Sequence, residues 1–271
     1  MSDIPPKGRT LVNALGIPGI LLMIWLGGIY FTLFMTLVIV LALKEFYDLY
    51  LEKGINASLP LGLAGAAFFI WFYHTDPYWN MLTFLQLAFA FIILALLIEL
   101  FSKKVNPAAN LAYTIFGIAY IPMLLGSLIA LRQIDMTYDT YYTFAVFVSI
   151  WICDSAAFGI GMKWGKKKIF PRVSPKKSIV GSVAGFLSVL IFFYVLAHFH
   201  LPSADFSLQD VIVFSIISGV FGQLGDFLES LFKRDVGVKN SGSFLMGHGG
   251  VLDRFDSLIF AAPLTYFYFL F

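Results

Sequence analysis

The sequence is poor in charge and in cysteine. Only 13% of its 271 residues are charged, whereas charged residues make up about a quarter of a soluble globular protein. The single cysteine, Cys153, excludes an intramolecular disulfide and a metal site built on cysteines. The net charge of +2 gives no indication of a nucleic-acid partner, and we expect none. The sequence also contains no internal repeat, no low-complexity tract and no soluble domain.

Long apolar segments fill most of the chain instead. Hydrophobic residues make up 59% of the sequence, and the mean hydropathy is +0.85. Several runs approach the ~20 apolar residues that cross about 30 Å of hydrocarbon, so we predict an all-α polytopic integral membrane protein with about nine transmembrane helices. The predicted helices cover residues 11–26, 29–50, 61–73, 81–101, 111–131, 141–164, 179–199, 208–232 and 255–271.

These helices divide into two parts. Residues 1–140 hold predicted helices one to five, and residues 141–271 hold helices six to nine with polar loops at 163–178 and 233–254. With nine helices, Arg132 is the only one of the 18 lysines and arginines that falls on the opposite side from the N-terminus. Loops rich in lysine and arginine stay in the cytoplasm. We therefore predict a multi-pass protein of the inner (cytoplasmic) membrane, with the N-terminus and both polar loops cytoplasmic and the C-terminus outside.

Residues 230–257 form a polar island between two apolar segments. A membrane protein of this composition has few polar residues, so a dense group of them is the first candidate for chemistry. The island contains basic, acidic and imidazole side chains, namely Lys233, Arg234, Lys239, Arg254, Asp235, Asp253, Asp256 and His248. Five glycines separate them.

Acidic residues also lie inside the predicted helices. Asp226 and Glu229 are three residues apart and share a helix face, as do Asp253 and Asp256. Asp154 lies in predicted helix six. A carboxylate in hydrocarbon is costly and marks a functional candidate by default. All five fall towards the predicted cytoplasmic ends of helices six, eight and nine, although Asp154 alone is equally explained by a contact between helices.

This combination of residue types suits phosphate chemistry. Clustered carboxylates favour hard cations, and Mg²⁺ is held by one or two carboxylates together with substrate phosphates. Nearby lysines and arginines neutralise phosphates. Ser174, Lys176 and Lys177 precede a predicted helix N-terminus, which also binds anions. The pattern indicates transfer between a nucleotide and a lipid phosphate, with Mg²⁺ and room for a second cation.

The island closely resembles the signature of the phosphatidate cytidylyltransferase (CDP-diacylglycerol synthase) family. The matching residues are Ser230-x-x-Lys233-Arg234, Lys239, His248-Gly249-Gly250 and Asp253-Arg254-x-Asp256. The segments around Asp154, Ser174–Ser178 and Gly222–Asp226 are also similar to that family, so the resemblance covers 151–263. Two positions depart from it, because Asn240 stands where the family has aspartate and Met246 where it has proline or glycine.

The resemblance implies a catalytic C-terminal part that converts CTP and phosphatidate to CDP-diacylglycerol and pyrophosphate. It implies catalytic roles for Asp226, Asp253, Asp256, Lys233 and Arg234, and metal binding by Asp226, Asp253, Asp256 and Glu229. It implies substrate binding by Ser174, Lys176, Lys177, Lys239, His248, Gly249, Gly250 and Arg254. No role is carried onto Asn240, and His248 is equally explained as a loop-fixing hydrogen bonder. Membrane lipids are the expected surroundings, and a homodimer stays open.

Two alternatives remain. The same site could serve another lipid phosphate or a polyprenol as acceptor for CTP. A protein of a different class, an ion-coupled transporter, also buries carboxylates. A transporter predicts charges spread across the membrane and repeated halves, whereas the carboxylates here gather near one face.

Overall fold

The computed structural model describes residues 6–78, 80–242 and 249–270. The predicted site residue His248 and the departure at Met246 lie outside the described residues. In the part that is described, the chain is helical and forms no strand beyond an isolated bridge between Lys168 and Ser178.

The described helices are continuous through the apolar segments of the sequence. They are α1 (Pro6–Leu26), α2 (Gly28–Leu51), α3 (Leu59–Thr75), α4 (Met81–Leu100), α5 (Pro107–Tyr138), α6 (Tyr142–Trp164), α7 (Ile179–His198), α8 (Leu208–Asp235) and α9 (Leu252–Tyr268). Within α5 and α8, the turns Ala119–Met123 and Ile217–Phe221 are π-helical. Pro122 lies in the first of them, where a wider turn accommodates a residue that has no N–H.

Five of the described helices, α2, α5, α6, α7 and α8, are long and apolar enough to cross a membrane. Shorter apolar helices occur at Gly16–Leu26, Leu59–Thr75 and Phe84–Leu100. The predicted bounds agree closely for most helices, but the predicted end of the fifth helix at 131 is wrong, because α5 continues to Tyr138. The polar residues of its last two turns hid that extension from hydropathy. The count of nine spans stays a prediction.

The end of α5 has a specific role in the start of α6. Asp135 is buried, and its carboxylate accepts hydrogen bonds from the backbone N–H groups of Tyr142 at 3.0 Å and Thr143 at 2.7 Å. The hydroxyl of Thr140 donates to the same carboxylate at 2.7 Å. The first N–H groups of a helix have no partner within the helix, so Asp135 caps α6.

The chain divides into two compact units. The first contains Met1–Gln133 and Asn240–Asp253, and the second contains Ile134–Lys239 and Arg254–Phe271. The polar island is therefore shared, since its middle belongs to the first unit and its two ends to the second. The predicted division into 1–140 and 141–271 was made on function and remains a prediction.

Aromatic packing between α2 and α5 forms the core of the first unit. The rings of Phe46 and Tyr120 lie 5.8 Å apart, and Tyr50 and Tyr113 lie 4.3 Å apart. The hydroxyl of the buried Tyr47 donates to the backbone carbonyl of Thr114 at 2.8 Å. These contacts fix the C-terminal half of α2, which carries Glu45.

The second unit depends on small residues where its helices approach closely. The hydroxyls of Ser149 on α6 and Ser218 on α8 form a buried hydrogen bond of 2.8 Å. A Cβ added at Gly225 would lie 2.6 Å from the carbonyl oxygen of Asp256. The absence of a side chain at Gly225 therefore lets α8 and the start of α9 pack backbone to backbone, which brings Asp226 and Asp256 into one region.

Candidate functional site

The C-terminal half of α8 presents a polar face. Glu229 and Ser230 lie three and four residues after Asp226, and Lys233 lies four and three residues after them, which places the four residues along one side of the helix. Glu229, Ser230 and Lys233 are buried although they are polar. Burial of polar side chains is costly unless they have partners, so the contacts of this face are informative.

An ion pair joins Lys177 to Asp226. The lysine comes from the loop before α7 and the aspartate from α8, and their side chains are 31% and 21% exposed. The Lys177 ammonium also lies 4.6 Å from the centre of the Phe227 ring, within the range of a cation–π contact. The pair is thus placed at a surface that a ligand can reach.

Backbone contacts hold the loop that carries Lys177. The N–H of Ile179 donates to the carbonyl of Lys167 at 3.0 Å, next to the bridge between Lys168 and Ser178. The Ser178 hydroxyl caps α7 by accepting from the N–H of Gly181 at 3.2 Å. The cap explains why α7 begins where it does, and it fixes Lys177 one residue earlier.

Arg234 ties the same loop to the end of α8. Its guanidinium donates to the backbone carbonyls of Val173 at 3.2 Å and Val238 at 2.7 Å, and the side chain remains exposed. Arg234, which the sequence predicted to be catalytic, therefore anchors the loop through these hydrogen bonds. Its predicted catalytic role stays a prediction.

A second ion pair, between Lys233 and Glu229, is almost closed to solvent. The two residues are one helical turn apart on α8, and their side chains are 9% and 1% exposed. A charge buried at this depth depends on its partner, because removing one member leaves the other uncompensated. The two ion pairs that involve α8 therefore differ in exposure to solvent, although both join a lysine to a carboxylate.

Asp256 adds another carboxylate to this region. It interacts electrostatically with Asp226, Glu229 and Asp154, and with Lys177. If every group is ionised, these carboxylates together with Lys177 and Lys233 carry a formal charge of −2. Like charges repel at close range, so the region favours binding of a cation.

The donors of this region fit Mg²⁺. Within the described ranges, no group of three or more histidine, cysteine, aspartate and glutamate side chains is arranged to hold a metal ion. Mg²⁺ needs only one or two protein carboxylates when substrate phosphates and water supply its other ligands. Asp226 and Asp256 supply such a pair of hard oxygen donors in the second unit, and the metal itself remains a prediction.

In the first unit, Asp253 is held by backbone N–H groups. Its Oδ2 accepts from the N–H of Gly250 at 2.7 Å and from the N–H of Ser241 at 3.0 Å. Gly249 has a φ of +87°, a conformation that glycine adopts without strain, and a Cβ there would collide with the Asp253 carboxylate. Gly249 of the predicted signature therefore makes room for the aspartate.

The predicted site residues are thus distributed over both units. The second unit contains Ser174, Lys176, Lys177, Asp226, Glu229, Lys233, Arg234, Lys239, Arg254 and Asp256. The first unit contains Gly249, Gly250 and Asp253. Lys176, Lys239 and Arg254 are exposed, and their predicted roles in substrate binding stay predictions.

Sequence reasoning missed Glu45. This residue of α2 accepts three hydrogen bonds, from the Ser241 hydroxyl at 3.1 Å and from the N–H groups of Val251 and Leu252 at 2.9 Å each. The signal was present, since Glu45 is a carboxylate inside an apolar run. The criterion that singled out Asp154 would have found it.

Comparison with known proteins gives consistent matches over nearly the whole chain. The sequence model of the cytidylyltransferase family matches residues 7–271. A phosphatidate cytidylyltransferase of Staphylococcus haemolyticus is 34% identical over 264 residues, which cover 95% of this chain and 96% of that protein. Proteins of the same name from Staphylococcus aureus strain COL (over 261 residues, with the same shares) and Bacillus subtilis strain 168 (over 269 residues, 96% of each chain) are each 31% identical.

Proposed function

The chain belongs to the cytidylyltransferase family and is a nucleotidyltransferase, and we propose that it transfers the cytidylyl group of CTP to phosphatidate. The products are CDP-diacylglycerol, a phospholipid precursor, and pyrophosphate. The name shared by the relatives supports this choice of substrates. The observation that carries it is the Lys177–Asp226 pair beside Asp256, which combines a phosphate-binding cation with oxygen donors at an accessible surface.

The reaction depends more on compensating the negative charges of the two substrates than on proton transfer. A phosphate oxygen of phosphatidate attacks the α-phosphorus of CTP, the bond to the β-phosphate oxygen breaks, and pyrophosphate leaves with its electron pair. The attacking phosphate is already ionised, so no strong general base is needed. The task of the protein is to hold two anions together and to stabilise the charge that develops on the leaving group.

The residues of the second unit are suited to that task. Lys177 can exchange the Asp226 carboxylate for a phosphate oxygen, because the ion pair is partly exposed. Asp226 and Asp256 would hold Mg²⁺, which when bound neutralises phosphate charge and polarises the phosphoryl group. Lys176, Lys239 and Arg254, all exposed, are the further candidates for phosphate contacts.

We also propose nine membrane spans with the N-terminus in the cytoplasm. The five long apolar helices and the one-sided distribution of basic residues support this orientation. The test uses a Cys153→Ser background with a cysteine introduced at Lys166 or at Asp139, both exposed. A membrane-impermeant maleimide should label the first only in inverted vesicles and the second only in right-side-out vesicles. Labelling of both from one side would contradict the orientation.

The proposed reaction is tested with the purified protein in lipid nanodiscs. CTP labelled at the α-phosphate is supplied with phosphatidate, with a polyprenyl phosphate or with no acceptor, each with Mg²⁺ and with excess EDTA. We expect labelled CDP-diacylglycerol with phosphatidate and Mg²⁺. Asp48→Asn is the matched control, because Asp48 is exposed and pairs with Lys44 at 2.6 Å outside the site.

Each other outcome has a defined meaning. Turnover only with the polyprenyl phosphate would replace the proposed acceptor but keep the enzyme class. Full activity in EDTA would contradict the metal. Native mass spectrometry of the same preparation tests the homodimer that the sequence leaves open.

A further inference from the structure

The carboxylate of Glu45 joins the two described ends of the 240–253 segment. Its Oε2 accepts from the Ser241 hydroxyl at 3.1 Å and from the N–H of Leu252 at 2.9 Å, and its Oε1 accepts from the N–H of Val251 at 2.9 Å. We call this arrangement the Glu45 clasp. Ser241 precedes residues 243–248, which the structure does not describe, and Val251 follows them, so the clasp links the described residues on the two sides.

The clasp also completes the start of α9. The first N–H groups of a helix lack partners within the helix, and a negative charge near them is favourable. Glu45 supplies both an acceptor and the charge for the N–H groups of Val251 and Leu252. Hydrogen bonds to an ionised carboxylate are about twice as strong as neutral ones, so this is a firm attachment of the segment to α2.

Asp253 is connected to the clasp through shared residues. Ser241 donates its hydroxyl to Glu45 and its N–H to Asp253. Gly250, the second donor to Asp253, is next to Val251 in the chain. Movement of Glu45 would therefore displace both donors that orient the Asp253 carboxylate.

Two glycines of the segment are explained by the same carboxylate. A Cβ at Gly250 would collide with Glu45 Oε2 and with the Ser241 hydroxyl, and a Cβ at Gly242 would lie 2.8 Å from Glu45 Oε1. The segment thus has bare backbone at the points where Glu45 approaches it. Such fitting on both sides of the clasp indicates that it sets the geometry of the described residues 241–242 and 250–252.

We propose that Glu45 is a positioning residue for cytidylyl transfer, which orients Asp253 through Ser241 and the backbone of Gly250–Leu252. This inference rests on the proposed function. Glu45 acts through the segment and does not touch substrate. Loss of the clasp should therefore lower the rate of the chemical step while the rest of the protein stays folded.

The test compares Glu45→Ala, Glu45→Gln and Ser241→Ala with Asp48→Asn as the control. Asp48 lies on the same helix as Glu45 and is exposed. We expect Glu45→Ala to lower kcat by about 10- to 100-fold, the usual cost of losing a residue that orients a ligand-binding side chain. Ser241→Ala removes one of the three bonds and should cost less. Glu45→Gln keeps one acceptor oxygen and should restore part of kcat, and KM for CTP should change less than kcat.

A second measurement does not depend on turnover. Hydrogen–deuterium exchange of peptides that contain Val251 and Leu252 should be faster in Glu45→Ala, intermediate in Glu45→Gln and unchanged in Asp48→Asn. Unchanged exchange in Glu45→Ala would overturn the clasp. Wild-type kcat in Glu45→Ala, or a loss of kcat in step with the loss of folded protein, would overturn the positioning role.

Failure of the proposed function is recognised separately. In that case the wild-type protein makes no CDP-diacylglycerol, while the exchange rates of Val251 and Leu252 still respond to Glu45→Ala. That result would contradict the role of Glu45 in cytidylyl transfer but would still support the Glu45 clasp.

Discussion

The two units hold the carboxylates of the candidate site in different ways. In the second unit, Asp226 and Glu229 are each paired with a lysine side chain. In the first unit, Glu45 and Asp253 accept mainly from backbone N–H groups. A lysine side chain has rotatable bonds and can exchange partners, whereas a backbone donor is fixed by the fold. A lysine pair that solvent can reach is therefore suited to receiving a ligand, and the backbone contacts are suited to holding a geometry.

The same contrast appears between the two lysine pairs of the second unit. Lys177 and Asp226 are partly exposed, while Lys233 and Glu229 are nearly closed to solvent. Exposed ion pairs contribute little to stability, and buried pairs are costly to break. We therefore expect the first pair to matter for substrate and the second for folding, in addition to the catalytic role predicted for Lys233.

Removal of a carboxylate in either unit should have the largest effect. We expect Asp226→Ala and Asp253→Ala each to lower kcat/KM by about 10³-fold or more, because each removes a charge that the transfer step needs. The check is labelled CDP-diacylglycerol formation, with folded yield in detergent measured by size-exclusion chromatography. Substantial residual turnover in Asp253→Ala would remove it from the predicted metal ligands and leave its role as a backbone acceptor.

Breaking the buried Lys233–Glu229 pair should have the next largest effect, which we expect on the stability of the fold. Lys233→Met leaves Glu229 without its cation and should lower the free energy of unfolding by about 3–5 kcal/mol. Thermal unfolding in detergent measures this, and the double variant Lys233→Met/Glu229→Leu should recover much of the loss because no uncompensated charge remains. A wild-type melting temperature for Lys233→Met would show that the pair does not support the fold.

Breaking the exposed pair should spare stability and weaken binding. Lys177→Gln should change the free energy of unfolding by about 1 kcal/mol or less. The apparent affinity for CTP or phosphatidate should fall by about 10- to 100-fold, the value of a charged hydrogen bond to phosphate. Unchanged KM values for both substrates would end the distinction between the two pairs.

The smallest effect on activity is expected at Asn240, which lies next to Ser241 of the Glu45 clasp. Asn240 is exposed, and Asn240→Asp restores the residue of the family signature. Activity should be kept or modestly raised, since the change adds a carboxylate without disturbing packing. A large loss in the same assay would show that the segment of this chain is built differently from the signature.

Most helices of the fold follow from the sequence. Predicted 179–199 and 208–232 correspond to Ile179–His198 and Leu208–Asp235. Hydropathy predicts these helices correctly because it is a property of each successive residue, and a long apolar run has to be buried in lipid or in protein. It fails at the end of α5, where the buried Asp135 caps α6 through its side chain.

The candidate site shows the same limit. The signature selected Asp226, Asp256 and Lys177, and the structure brings these three into one electrostatic group. The signature did not select Glu45, because no motif contains it and its donors lie more than 190 residues away in the chain.

By itself, the sequence determined the helical class, the positions of the helices and the family, since these depend on local hydropathy and on short motifs. Tertiary structure alone decided that Lys177 pairs with Asp226 and that Glu45 accepts from Ser241, Val251 and Leu252. Glu229 and Lys233 are only one helical turn apart on the same helix. In contrast, Lys177 and Asp226 are 49 residues apart in the chain, and Glu45 and Leu252 are 207 residues apart. Contacts over such separations depend on how helices pack, and the spacing of residues along the chain does not record that packing.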